Sequence, residues 1–182
     1  VVLLINGVRV RLLPDRFASE DELKKQGETF EGEGKSLPGA VTRWNYAGMT
    51  WDPKSVKHEP MGSGQWMVVD YVDPVVEVSV QVTYRKSKKA PSLSAARGLR
   101  SAYGKGGTLK EHERSHVEDG ISYARANGPV LGNGRGQEAN EFNAQFNKFK
   151  AAALDVGTDI AAYSRARTDC PGKRNAAFCK AK

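Results

Sequence analysis

The sequence predicts an α+β fold, an N-terminal antiparallel sheet followed by a helical half, and three observations predict it. From Val75 to Tyr84 the chain alternates apolar and polar residues, the period of a half-buried strand. From Phe142 to Tyr163 apolar residues recur at steps of four and three, the period of a helix with one buried face. Between these stretches, after Pro91, the composition turns from β-branched residues to alanine and alternating charges. At 182 residues the chain is long enough to bury a proper core. It reads as a single domain over 1–182, with a β-rich lobe at 1–91 and a helical lobe at 92–182.

The elements follow in order. VVLLINGVRVRLL reads as a hairpin, because Asn6-Gly7 suits a type I′ turn between two apolar runs. Ser19 caps a short helix through Lys25, which Gly27 stops. GETFEGEGKSLPG is turn-rich and exposed. AVTRWNYAGMTW is a strand with a bulge at Gly48, and its aromatics Trp44, Tyr46 and Trp51 pack the sheet. His58 falls in the loop sequence SVKHEPMGSG. QWMVVDYV and VVEVSVQVTY give two more strands. In the second, Val76, Val78, Val80, Val82 and Tyr84 face one way, as in an antiparallel sheet with one face on the core.

In the helical half, SLSAARGLRSAYG is a helix and GKGG a flexible link. A helix from Thr108 to Asn127 follows, opened by the capping box Thr108-x-x-Glu111, with an inward stripe of Leu109, His112, His116 and Tyr123. GPVLGNGRGQ is glycine-rich but lacks the G-K-[ST] ending of a phosphate loop. The last helix spans about 137–167, with Gly157 a tolerated weak point inside it.

Hydrophobic content of 39% excludes wholesale disorder, and no apolar run is long enough to span a membrane. The net charge of +7 favours encounter with acidic surfaces. The aromatics lie in strands rather than among the basic residues, which argues against a specific nucleic-acid surface. Arg85, Lys86, Lys88 and Lys89 read as a solvated loop. Cys170 and Cys179 close a short loop and read as a disulfide, which with the absence of an initiating Met suggests a secreted or periplasmic protein.

Chemistry concentrates in His112-Glu113-x-x-His116. On a helix, residues four apart stand one above the other, so both imidazoles can offer a nitrogen to one tetrahedral zinc. Glu113, beside them, is placed to deprotonate a metal-activated water. The competing reading of KEHERSHVED is a solvated, charged helix face.

This H-E-x-x-H on a capped helix after a sheet resembles the zincin metallopeptidases. More narrowly, GAVTRWNYAGMTW, DPVVEVSVQVTY, the EHERSH helix and YSRARTDCPG resemble a family of uncharacterised, predicted exported bacterial zinc proteases, over about 22–172. The family often ends in a T-x-H-G-like segment, where this chain has Thr168-Asp169-Cys170-Pro171. The resemblance implies peptide-bond hydrolysis with Zn2+ as cofactor and a protein or peptide as substrate. A third ligand is required, and the metzincin continuation fails because Asp119 and Ser122 stand where glycine and histidine are needed. A thermolysin-like arrangement points to a glutamate opening the next helix: Glu138 first, then Glu141, with Asp169, Asp159 and His58 as further choices. Tyr123 or Tyr163 could serve as oxyanion donor, and Glu118 and Asp119 as acceptors behind the histidines. Two other functions fit the same residues. One is a zinc-binding structural or adhesive protein without turnover, and the other a basic module for acidic polymers. The sequence does not specify the oligomeric state.

Overall fold

The computed structural model describes residues 1–25, 39–101 and 107–170. It is a mixed α+β structure, with an N-terminal sheet and a helical C-terminal half. β1 (Val2–Ile5) and β2 (Val8–Leu12) form the expected hairpin, turning through Asn6 and Gly7 with φ of 46° and 76°. β3 (Arg16–Ala18), which has no clear sequence pattern, follows directly. α1 (Glu20–Lys25) begins where Ser19 Oγ accepts from the Glu22 amide at 3.2 Å and Glu22 returns the bond to the Ser19 amide at 2.6 Å. The Gly27 stop and most of the turn-rich segment lie outside the described residues, as does the GKGG link at its first positions.

β4 (Ala40–Thr50) and β7 (Val75–Arg85), eleven residues each, are the spine of the sheet. They pair antiparallel, with the register shift at Gly48 that the sequence suggests. On its other edge, β7 runs parallel to both β2 and β3. The sheet is therefore mixed, and the antiparallel expectation is corrected. Alternation reports which face of a strand is buried, and it does so here except at Thr83, a polar-face residue that is also buried. Direction depends on connection: β2 reaches β7 by a long crossover, which permits a parallel pair.

β5 (Lys57–Pro60) and β6 (Trp66–Asp70) form a separate small hairpin. His58 lies in β5, paired opposite Val68, rather than in a loop, and it is exposed. α2 (Leu93–Gly98) is shorter than its sequence pattern suggests. α3 (Leu109–Asn127) carries the capping box as read, with Thr108 and Glu111 bonded reciprocally. α4 (Ala139–Ser164) runs directly into a π-turn, Arg165–Asp169.

α3 and α4 cover the valine face of the sheet. Val8, Val10, Trp44, Val76, Val78 and Val80 pack there against Phe146, Phe149, Ala153, Val156 and Ile160 of α4 and Ala124 of α3. Gly157 is more than tolerated: a Cβ at this position would lie 3.1 Å from both the Trp44 carbonyl oxygen and the Tyr46 amide nitrogen. Its bare backbone lets α4 lie directly on β4. Gly120 plays the same part on α3, against the Trp44 ring and, at 2.8 Å, an Ile160 methyl carbon. The second core cluster, Ala40, Val82, Tyr84, Ala90, Ala96 and Leu109, fixes the N-terminal end of α3 to the sheet. That end carries the histidines. No helix among the described residues is long and apolar enough to cross a membrane.

Candidate metal centre

The helical repeat does to His112 and His116 what their spacing implies. The two rings meet edge to face with centroids 4.8 Å apart, and their Nε2 atoms approach to 3.2 Å. The third group at this point is Asp169, at the end of the π-turn. Its Oδ1 lies 3.1 Å from His112 Nε2 and 3.1 Å from His116 Nε2. Three donor atoms from two elements thus form a nearly equilateral triangle. Ligands about 2.0–2.1 Å from a tetrahedral ion stand about 3.3 Å from one another. The donor set of two imidazoles and one carboxylate, at this spacing, could hold a metal ion.

A π-turn is needed to deliver Asp169. Along an α-helix five residues rotate by about 500°, which would leave the side chains of residues 164 and 169 about 140° apart. The wider turn, closed by the Cys170 amide on the Arg165 carbonyl at 3.2 Å, brings both to one side. Ser164 Oγ then lies 2.7 Å from His116 Nδ1, while Asp169 meets the opposite nitrogen of the same ring. Asp119 of α3 holds the turn in place, accepting from Arg167 Nε at 3.2 Å and from Thr168 Oγ1 at 2.7 Å.

The histidine pair is largely removed from solvent, with His112 8% exposed, and Glu113 is deeper still at 3%. Thr42 of β4 donates its hydroxyl to Glu113 Oε2 at 2.7 Å. Burial pushes the Glu113 carboxyl up, against the opposing pull of His116, of the Thr42 hydrogen bond and of His112. Burial alone would lower His116. The hydrogen bond and charge of Asp169, joined by the charges of Glu113 and Asp119, outweigh it and raise the imidazole. For Asp169 the balance runs the other way: burial would raise it, but hydrogen bonds from His112 and His116 hold it well below the usual carboxylate range. The charge of Glu113 also reaches Tyr84, whose phenol is pushed up to about 12 by burial, then by Asp15 and Glu113.

The remaining sequence candidates lie elsewhere. Glu138 is the N-cap residue of α4, bonded to Asn140 and bridged to Met67 of β6. The helix it opens has 26 residues and is therefore about 39 Å long, and Ser164 beside His116 is its last residue. Glu138 is not the third member of this cluster, and Glu141, in the first turn, is excluded by the same length. The third member comes from beyond the far end of that helix rather than from its start. Asp159 pairs with Tyr123. Tyr123 and Tyr163 pack against each other at 5.2 Å, and Glu118 binds Arg114 on the exposed side of α3. Cys179 lies outside the described residues, and with it the expected pairing to Cys170. Ser164 and Thr42 had no sequence signal: one depends on the π-turn and the other on a contact between strand and helix.

Compared with known proteins, the chain matches no family model, no curated protein and no solved structure.

Proposed function

We propose that the chain is a zinc-dependent peptidase of the zincin type, acting on protein or peptide substrates outside the cytoplasm. One observation carries this reading: His112, His116 and Asp169 converge within 3.1–3.2 Å of one another beside the buried carboxylate of Glu113. His112 and His116 would hold zinc through Nε2, and Asp169 through Oδ1, leaving a fourth position open as catalytic sites require. When bound, zinc supplies a Lewis acid and makes a water acidic near neutral pH.

Glu113 supplies the base. Its upward-shifted carboxyl is suited to taking a proton from water and returning it to the departing amine nitrogen. Thr42 fixes one carboxylate oxygen and so orients the other. Asp169 adds one negative charge to two neutral imidazoles, which leaves the loaded centre cationic and attractive to a carbonyl oxygen.

A second reading, a zinc centre without turnover, is favoured by the low exposure of Glu113 and its engagement with Thr42. Elemental analysis and hydrolysis of an unfolded protein substrate separate the two. The peptidase reading expects one zinc per chain, hydrolysis that chelation abolishes, and a Glu113→Ala variant that keeps zinc but loses activity. Full zinc occupancy with no hydrolysis of any unfolded substrate would leave the silent reading.

A further inference from the structure

We propose that Ser164 is a positioning residue that fixes the tautomer and orientation of His116 for metal binding. The inference rests on the metal-centre reading above and adds a residue that touches neither metal nor substrate.

The geometry gives the direction of each bond. Ser164 Oγ lies 2.7 Å from His116 Nδ1 and 3.3 Å from the His116 carbonyl oxygen. The carbonyl can only accept, and with the hydroxyl proton directed to it Oγ is left to accept from the ring. The shorter contact then runs from the ring, with Nδ1–H donating to Oγ. A neutral imidazole that carries its proton on Nδ1 has its lone pair on Nε2. Nε2 is the atom that faces His112 and Asp169. Once Nε2 gives up the proton it shares with Asp169, the neutral tautomer left by the Ser164 bond is the one that can bind a metal in this triangle, with the ring plane already held towards it.

The chain places this hydroxyl with little freedom. Ser164 is 2% exposed and is the last residue of α4, one residue before the π-turn that carries Asp169. One short segment thus brackets the His116 ring, a hydroxyl on one nitrogen and a carboxylate on the other. A buried serine with no other role at a helix end could be alanine at small cost. Here the hydroxyl is matched to both an N–H and a carbonyl of the same histidine.

The test compares wild type, Ser164→Ala and Ser164→Thr in the full chain. Zinc affinity is read by competition with a chromophoric chelator, and the Co2+-substituted protein by its visible absorption. Thermal melting of the metal-free proteins checks folding. Ser164→Ala is expected to bind zinc about 10–100-fold more weakly, the usual effect of removing a partner behind a ligand. Its cobalt spectrum should change in band position or intensity, because one imidazole is no longer fixed. Ser164→Thr, which keeps the hydroxyl, should recover most of the affinity. If Ser164→Ala melts like wild type and binds zinc equally tightly with the same cobalt spectrum, the positioning role is overturned and the metal centre stands. If wild type binds no zinc or cobalt at 1:1, both the centre and this inference fall. If Ser164→Thr is folded but as weak as Ser164→Ala, the hydroxyl is not the operative group and the inference fails alone.

Discussion

The Nε2 atoms of His112 and His116 face each other across 3.2 Å, within hydrogen-bonding reach. Asp169 Oδ1, 3.1 Å from each, closes a triangle of three donor atoms. The assignment of ligands is open to a direct comparison. His112→Ala and Asp169→Ala should each lose stoichiometric zinc, by more than the 10–100-fold that loss of a supporting partner causes. Glu138→Ala, at the far end of α4, should bind zinc as wild type does. Equilibrium dialysis with elemental analysis measures all three. Zinc loss on removing Glu138, with Asp169→Ala unaffected, would reverse the assignment.

Asp119 should matter to the metal without touching it. Its two bonds, to Arg167 Nε and Thr168 Oγ1, tie the π-turn to α3 one helical turn beyond His116. Asp119→Ala frees that turn, so Asp169 must be ordered when zinc binds. Zinc affinity should fall by about 10–100-fold. Asp119→Asn, still an acceptor, should lose less. Chelator competition distinguishes this from an unchanged site.

How legible this centre was follows from the period of each element. His112, Glu113 and His116 lie within one regular helix, where spacing in the sequence fixes spacing in space. Capping by Thr108 and Glu111 could be read for the same reason. Asp169 enters through a break in regularity: helical periodicity carried α4 past Ser164, and no sequence pattern marked the change to i→i+5 bonding. Thr42 meets Glu113 from 71 positions away, through the docking of α3 on β4. The β7 alternation identified the buried face, whereas the parallel partners β2 and β3 depend on chain connections that alternation does not encode.

The close contacts of α3 and α4 with β4 offer a test of the fold that does not involve the metal. Gly→Ala inside a helix ordinarily stabilises by up to about 1 kcal/mol. At Gly120 the new methyl would press into the buried Trp44 ring, and overpacking of that kind costs about 1–3 kcal/mol. At Gly157 the neighbours are β4 backbone atoms at 3.1 Å, a milder conflict. Gly120→Ala should therefore lower the melting temperature clearly, by about 2–4 °C for each net kcal/mol in a chain this long. Gly157→Ala should change it less. Differential scanning calorimetry on the metal-free proteins would show whether this order holds.

The Asp169–histidine contact also implies a pH window in the metal-free protein. Asp169 is depressed, so its contribution is complete above its ordinary value of 3.8 and is lost as pH falls through the lower folded value. His116 is raised, so its contribution is complete below its ordinary 6.5 and is lost as pH rises through the higher folded value. The difference in melting temperature between wild type and Asp169→Asn should be largest between these two ordinary values and shrink on either side. Zinc should change the alkaline limb, because binding requires neutral imidazoles and strengthens as pH rises. A difference that does not vary with pH would remove the ion pair from the account.

Glu113 combines a catalytic expectation with a stability expectation of opposite sign. It is 3% exposed and its carboxyl is raised, first by burial, so the ionised form is costly to keep folded. A group raised in this way contributes stability below its ordinary value of 4.5 and loses it as pH climbs through the folded value. Glu113→Gln keeps the shape and an acceptor for the Thr42 hydroxyl while removing the charge. Near neutral pH the metal-free variant should melt higher than wild type, and the gap should close in acid, where both side chains are neutral. Zinc should still bind, since the three donors are untouched. Hydrolysis of an unfolded substrate should fall by about 10²–10⁴-fold, the usual contribution of a positioned base. A variant that is more stable, zinc-loaded and inactive is the outcome that a peptidase base predicts. If the variant instead cleaves substrate at the wild-type rate, Glu113 is only a buried carboxylate, and the proton must go elsewhere.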